Sequence, residues 1–282
     1  EMLLKNGVTG WLATTMTTDE TTLHSSFAAC REVMAEGGHA LLGVHAEGPF
    51  ISASKKGAQD AKYILKPDAK FVKEYADIIK SITLAPEEDE NDFAAIREIK
   101  RDTDVLISMG HTSADYKTAK AGVAAGVGHV THLFNAMTPM THRAPGVVGA
   151  ALNSDVSCEL IVDTYHVNAA LFEMVYKLKG RKMCAITDCL PAGGLPEGEY
   201  TLGGAKIIYK NDLCRLEDGT IAGSVLKLNN AVKNVLAHTD LPVNVVFKMA
   251  SLNAAAAIGV SDRIGSLEAG KDADIIIVDD DI

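Results

Sequence analysis

The chain has 282 residues, 47% of them apolar, with 27 Lys and Arg against 37 Asp and Glu and a net charge of −10. Apolar content of this order at this length fits one large buried core and excludes a fibrous or disordered chain. The acidic balance, with no long basic run, argues against nucleic acid or anionic membranes as partners, although a local cationic pocket still suits an anionic small molecule at short range.

The chain opens on the end of a helix over 1–6, stopped by Gly7. Short apolar runs at 10–14, 40–45, 81–85, 104–109, 129–133, 156–162 and 183–187 then read as strands. Segments at 19–36, 68–80, 91–101, 113–125 and 168–179 read as helices, the first of them closed by Gly37-Gly38. Strands alternating with helices of this length imply parallel pairing with right-handed crossovers, and their Val, Ile and Leu character fits strands covered on both faces. A closed barrel has eight strands, one more than this count. The expected fold is therefore α/β, a (β/α)8 TIM-like barrel lacking its first strand, with a doubly wound open sheet as the alternative.

After Asp188 the pattern changes. Pro191-Ala-Gly-Gly194 and short runs at 199–202, 206–209 and 213–216 read as antiparallel strands, a β insert at about 190–216 and a candidate lid. Helices at 225–237 and 243–252 follow, and the stretch from Gly265 to Val278 reads as a turn leading into a strand. That strand has no slot in a barrel. Residues 1–260 are thus expected to form the barrel domain, and 261–282 to give a C-terminal strand of a small β-sandwich domain.

Five cysteines, Cys30, Cys158, Cys184, Cys189 and Cys214, are scattered and form no CxxC pair, which favours a reduced, cytoplasmic setting. No apolar stretch approaches the roughly 20 residues of a membrane span, and the first residues do not resemble a signal peptide, so a soluble protein is expected.

Four side chains stand where apolar runs end: Glu47 after 40–44, His111 after 105–109, His132 after 129–131 and Asp188 after 183–187. In β/α barrels the active site is built at the strands' C-terminal ends. Glu47 with two histidines is a ligand set for a divalent ion of the zinc type, iron or another divalent ion being compatible with the same donors. Such an ion lowers the pKa of water to about 7 and polarises a carbonyl, and Asp188 would take the water's proton and return it to the leaving group. Each residue alone has a structural reading, as a strand-end hydrogen-bonder or, for Glu47 before Gly48-Pro49, a turn cap. Together, at four strand ends of one sheet, they argue for a site, because burying them unpaired is costly.

Among the other histidines, His24, His129 and His238 read as structural, His39 sits in a Gly-Gly-His turn and carries no signal, and His45 shares the face of Glu47 and is placed to shape its surroundings. His142-Arg143 and Asp163-Thr-Tyr-His166 follow strand ends. A guanidinium there suits phosphate or carboxylate, a surface ion pair being the alternative, and the Asn135-Ala136 backbone offers further donors to an anion. Lys55-Lys56 reads as a solvated loop pair, and Cys184 and Cys189 as packing residues.

The motifs Val44-His45-Ala-Glu47-Gly-Pro-Phe, Met109-Gly-His111-Thr, Thr131-His132-Leu-Phe-Asn135-Ala-Met, His166 and Thr187-Asp188, in this order and spacing, resemble the N-acetylglucosamine-6-phosphate deacetylase family of the amidohydrolase superfamily. The similarity runs through nearly the whole chain, and the closing Gly-Ser-Leu-Glu-Ala-Gly-Lys-Asp-Ala-Asp stretch looks like the superfamily's return into its small β-sandwich. The resemblance implies hydrolysis of the acetamido group of N-acetylglucosamine 6-phosphate to acetate and glucosamine 6-phosphate, in amino-sugar catabolism. It implies Glu47, His111 and His132 as metal ligands and Asp188 as the acid/base. It further implies phosphate contacts from Asn135, Ala136 and Arg143, with Arg143 reaching a neighbouring subunit's site in a homodimer. His166, Ala58 and the turn Ala222-Gly223-Ser224 match sugar-binding positions. Gln59 stands where some members place a histidine near the acetyl carbonyl, and its amide can donate the same hydrogen bond. The family's first barrel strand, which in some members carries ligands for a second metal, lies outside this chain. The chain is therefore expected to be part of a longer polypeptide, with one ion or two left open. Two other readings stand beside this one: another amidohydrolase acting on a cyclic amide or an unphosphorylated acetamido sugar, and a non-catalytic barrel scaffold.

Overall fold

The computed structural model describes residues 2–37 and 40–279; Gly38 and His39, read from the sequence as part of a turn, lie outside them. The chain divides into two compact units, Gly10–Val156 and a second formed by Glu1–Thr9 with Ser157–Ile282. The short opening helix α1 (Met2–Lys5) ends as expected at Gly7, whose φ of 77° is one that glycine adopts freely.

In the Gly10–Val156 unit, strands β1 (Trp11–Thr15), β2 (Leu41–Glu47), β3 (Ile79–Leu84), β4 (Leu106–Met109) and β5 (His129–Val130) pair in that order, all parallel. Helices α2 (Glu20–Glu36), α3 (Ala69–Glu74), α4 (Glu90–Asp102) and α5 (Tyr116–Ala125) fill the crossovers, and α6 (Gly146–Leu152) follows β5. Val44, Ala46, Ile82, Leu84, Ile107, Met109 and Val130 are buried almost completely. Each large one contributes about 1.5–3 kcal/mol by leaving water. Aspartates start the helices: Asp19 accepts from the Thr22 N–H at 2.9 Å, Asp68 from Lys70 at 2.8 Å and Asp115 from Thr118 at 2.7 Å.

Register is what places the chemistry. Glu47 lies beside Thr83, Thr83 beside Ser108, and Ser108 beside His129. The segments leaving β2, β4 and β5 therefore emerge from one edge of the sheet.

Two expectations in this unit change. The helix read over 68–80 is only α3, because Tyr75 takes φ −116° and ψ 15° and its N–H turns back to Val72, after which β3 starts at Ile79. The strand read over 129–133 stops at Val130, and His132 lies in a turn.

In the second unit, β6 (Ser157–Ile161) and β7 (Met183–Ile186) pair in parallel, with α7 (Phe172–Lys179) between them. Next come β8 (Gly198–Leu202), β9 (Ala205–Lys210), β10 (Leu213–Leu216) and β11 (Ile221–Gly223), an antiparallel sheet in the order β11-β10-β9-β8. This is the expected insert with one strand more. Helices α8 (Leu228–His238), α9 (Val243–Ala250) and α10 (Leu252–Ala257) follow. Buried Asn253 fastens α10 to β7 by donating to the Met183 carbonyl at 2.8 Å, and Asn234 of α8 donates to the Val162 carbonyl at 2.9 Å.

The strand expected at the end of the chain is not formed over 274–278: the Ile275 N–H turns back onto the Ala273 carbonyl, and Ile277 is 95% exposed. No neighbouring strand pairs with it among the described residues, and an extended segment without a partner leaves its backbone groups to water and local turns. No helix among the described residues is long and apolar enough to cross a membrane.

Candidate metal centre and active site

Glu47 ends β2, His111 follows β4 by two residues and His132 follows β5 by two. Their donor atoms converge as the sequence suggested. His111 Nε2 stands 3.1 Å from Glu47 Oε1, His132 Nε2 3.2 Å from the same oxygen, and the two Nε2 atoms are 3.0 Å apart. All three side chains are largely buried, 9%, 5% and 14% exposed for His111, His132 and Glu47.

The far side of His111 decides what this triangle is for. Its Nδ1 lies 2.7 Å from the Lys55 carbonyl. A carbonyl only accepts, so Nδ1 carries the proton and the Nε2 of the neutral ring presents a lone pair to Glu47. A lone pair and a carboxylate oxygen at 3.1 Å repel unless a cation or a proton sits between them. Ligands about 2.0–2.1 Å from a tetrahedral zinc-type ion stand roughly 3.3 Å apart, so the three atoms fit such an ion with little adjustment. Burial alone would raise the Glu47 carboxyl, but positive charge in the triangle, carried by protons on His111 and His132 or by a cation in their place, outweighs it and holds Glu47 well below the usual carboxylate range. Glu47 is ionised whenever that charge is present, as a ligand must be.

The supports of this triangle are local. Lys55, read from the sequence as part of a solvated loop pair, supplies the carbonyl that orients His111, and Gly57 in the same loop packs so close that a Cβ there would stand 3.4 Å from the His111 ring. Glu87 accepts from the hydroxyls of Thr112 and Ser113, tying down the segment just after His111. Behind the ligands, His45 bonds Thr83 at 2.7 Å, Thr83 bonds Thr131 at 2.7 Å and Thr131 bonds Ser108 at 2.5 Å, a buried network across β2 to β5. His45 thus shapes the layer beneath the triangle. His111 and His132 take left-handed backbone angles, φ 46° and 33°. Such strain in residues other than glycine concentrates at functional sites.

The other sequence-predicted residues of this unit lie around the same edge. Ala58 and Gln59 belong to the loop after β2, and Gln59 is 3% exposed. Its Oε1 accepts from the Thr17 N–H at 2.6 Å, while Nε2 has no hydrogen-bond partner among the described residues. Thr17 was missed in the sequence, where a lone threonine after a strand carries no signal. Asn135 and Ala136 follow His132; Asn135 Nδ2 donates to the His132 and Leu133 carbonyls at 3.3 Å, and Ala136 has φ 47°. Arg143 is exposed, with Nη1 2.6 Å from His142 Nε2.

His166, Asp188 and Ala222–Ser224 belong to the second unit. His166 Nδ1 donates to Asp163 Oδ2 at 2.6 Å, and Asp163 Oδ1 accepts the N–H groups of Tyr165 and His166. Burial pulls the Asp163 carboxyl upward, yet the hydrogen bond and charge of His166 and the two N–H groups hold it below its ordinary 3.8. Asp163 thereby fixes the His166 ring so that Nε2 faces away from the pair. Asp188 follows β7 with φ 48°, and its carbonyl accepts from the Ser224 N–H at 3.1 Å. Ser224 also donates its hydroxyl to the Thr187 carbonyl, so the Ala222–Ser224 segment is fastened directly to the end of β7. Cys184 and Cys189 behave as packing residues: burial raises both thiols, Cys189 to about 11, and they stay protonated.

Comparison with known proteins shows the family. A model described as the amidohydrolase family matches residues 1–282. The chain is 39% identical to N-acetylglucosamine-6-phosphate deacetylase of Bacillus subtilis (strain 168), over 99% of this chain and 73% of that protein. Among solved structures, N-acetylglucosamine-6-phosphate deacetylase from Thermotoga maritima superposes with a TM-score of 0.90 at 36% identity, covering 97% of this chain and 75% of that one. A mutant of the Mycobacterium smegmatis enzyme in complex with N-acetyl-D-glucosamine-6-phosphate does so with a TM-score of 0.87 at 30% identity, covering 96% and 73%. The fold is accordingly the α/β, TIM-barrel-like fold of these amidohydrolases.

Proposed function

The chain belongs to the amidohydrolase family and, within it, to the N-acetylglucosamine-6-phosphate deacetylases, and from that premise we propose the working parts of its reaction. The reaction is hydrolysis of the acetamido group of N-acetylglucosamine 6-phosphate to acetate and glucosamine 6-phosphate. The observation that carries the site is the triangle of lone-pair atoms on Glu47, His111 and His132, held 3.0 to 3.2 Å apart with the His111 tautomer fixed from behind.

These three residues hold the divalent ion, which we take to be zinc or an ion of similar donor preference. When bound, it supplies an acidified water and a polarised acyl carbonyl. Asp188 removes the proton from the attacking water and delivers it to the amine nitrogen as the C–N bond breaks. Burial of the ligands, 5% to 14% exposed, keeps competing solvent from the reacting carbon. Gln59 donates to the acyl oxygen; its NH2 is buried with no partner among the described residues, which supports that role. His166, steadied by Asp163, binds the sugar with Ala58 and the Ala222-Gly223-Ser224 turn. Asn135, Ala136 and Arg143 receive the phosphate, Arg143 across a homodimer interface, and its exposed guanidinium leaves it available for that. We assign residues 1–260 to the catalytic barrel with its β insert. The five free cysteines, three of them buried, support a reducing, cytoplasmic setting.

The test is acetate release from N-acetylglucosamine 6-phosphate by protein purified without chelators. Turnover is expected, with loss of about 10²–10⁴-fold in kcat for Asp188→Asn at unchanged thermal midpoint. Wild-type turnover in Asp188→Asn would reject the assigned base.

A further inference from the structure

The carboxyl end of β1 carries unsatisfied polar groups that the reaction above has used only in part. Thr15 Oγ1, Thr17 Oγ1 and Gln59 Nε2 are buried side-chain atoms with no hydrogen-bond partner among the described residues, and Thr17 and Gln59 are 4% and 3% exposed as whole residues. Leaving a donor buried and unmade is costly, so an arrangement of this kind persists when something else completes it.

The orientation of the Gln59 amide is not free. A backbone N–H only donates, so the atom 2.6 Å from the Thr17 nitrogen must be the carbonyl oxygen, and a flipped amide is ruled out. The NH2 group is thereby turned to the other side of the amide, with its donors unspent. Gly48 makes room for the pair. A Cβ at that position would stand 2.2 Å from Thr17 Oγ1, so glycine is what admits the Thr17 hydroxyl against the segment that directly follows Glu47, while Gln59 Oε1 would lie at an ordinary contact distance of 3.7 Å. The same loop places Gly57, two residues before Gln59, against the His111 ring. Thr17 thus packs against the residue that follows Glu47, and Gln59 belongs to the loop that backs the His111 ring.

We propose that Thr17 is a further catalytic residue of the deacetylation, acting with Gln59 as a pair of preorganised donors to the acyl oxygen. The Thr17 N–H locks the Gln59 NH2 in its donating orientation, and the Thr17 hydroxyl gives the second hydrogen bond. This rests on the deacetylase reading and deepens it. As water adds to the acyl carbon, negative charge gathers on the former carbonyl oxygen, and fixed donors aimed there stabilise the transition state more than the ground state. The contribution falls on kcat rather than on KM.

Three variants of the full chain, assayed for acetate release from N-acetylglucosamine 6-phosphate and by thermal melting, test this. Thr17→Val keeps the shape and the N–H but removes the hydroxyl: kcat falls about 10- to 100-fold with KM within about threefold, by analogy with loss of one oxyanion donor. The same change removes an unsatisfied buried hydroxyl, so the thermal midpoint without substrate rises. A merely structural role predicts the opposite sign. Thr17→Ser restores most of kcat. Gln59→Glu leaves the Thr17 N–H partnered but deletes both donors, and loses kcat to a similar extent. Unimpaired kcat in Thr17→Val, or a lowered midpoint, overturns the proposal. Failure of the underlying reading is distinct: no acetate from the wild type sinks both, whereas wild-type turnover with an unimpaired Thr17→Val sinks this one alone.

Discussion

Replacing Glu47 with glutamine keeps the outline of the triangle and removes its only formal negative charge. Four-ligand structural zinc sites bind with about 10–16 kcal/mol, so each ligand carries about 2.5–4 kcal/mol. Glutamine retains a neutral oxygen, and a loss of about 2.8 kcal/mol, or about 100-fold in affinity, is a reasonable middle figure. Ligand binding stabilises the folded state by RT ln(1 + [L]/Kd). With zinc at about 100 times the wild-type Kd, the wild type gains about 2.7 kcal/mol, and Glu47→Gln at the same concentration gains only about 0.4 kcal/mol. At about 2–4 °C per kcal/mol, that is about 5–10 °C for the wild type and about 1 °C for the variant. The assay is thermal melting of chelator-stripped protein against titrated zinc, and it needs no turnover. An equal zinc-induced shift in both proteins would refute the assignment of Glu47 as a ligand.

The remaining predictions concern the groups around the triangle. Asp163→Asn removes the carboxylate that orients His166 and is expected to cost about 1–3 kcal/mol at pH 7 and to raise KM, measured by denaturant unfolding and steady-state kinetics. Because folding holds Asp163 below its ordinary 3.8, its stabilisation is present in full above that value and is lost as pH falls through the lower folded value. The gap between wild type and variant should therefore close below about pH 4. Gly110→Ala would set a Cβ 2.9 Å from Thr131 Cβ and Thr83 Cγ2. An overpacking cost of about 1–3 kcal/mol and displacement of His111 follow, read as a lowered midpoint and weakened zinc binding. Arg143→Ala should raise KM for N-acetylglucosamine 6-phosphate about tenfold or more and leave the slow reaction of unphosphorylated N-acetylglucosamine unchanged; equal effects on both would remove Arg143 from the phosphate site.

Much of this was legible because hydrophobic runs ended on chemistry. Glu47 closes a strand and His111 and His132 follow one, each strand having unambiguous apolar residues, and parallel register carries those three ends to one edge. What escaped depends on main-chain atoms and on neighbours distant in sequence. The His111 tautomer is fixed by the Lys55 carbonyl and the Gln59 amide by the Thr17 N–H, and a residue's name does not announce either contact. The left-handed angles at His111, His132 and Asp188 were equally invisible, since none is glycine. The run Ile275-Ile276-Ile277-Val278 has strand composition but no partner among the described residues, and composition alone does not make a strand. The fourth strand of the insert, Ile221–Gly223, was too short to stand out from its turn.

The claim on which the account turns is that Glu47, His111 and His132 share one cation. Anomalous diffraction at the absorption edge of the metal carried by crystals of the protein purified without chelators tests it directly. A single strong peak enclosed by the Glu47 carboxylate and the Nε2 atoms of His111 and His132 is the predicted result. A metal bound elsewhere, or those three groups linked only by protons in protein that still releases acetate, would contradict it.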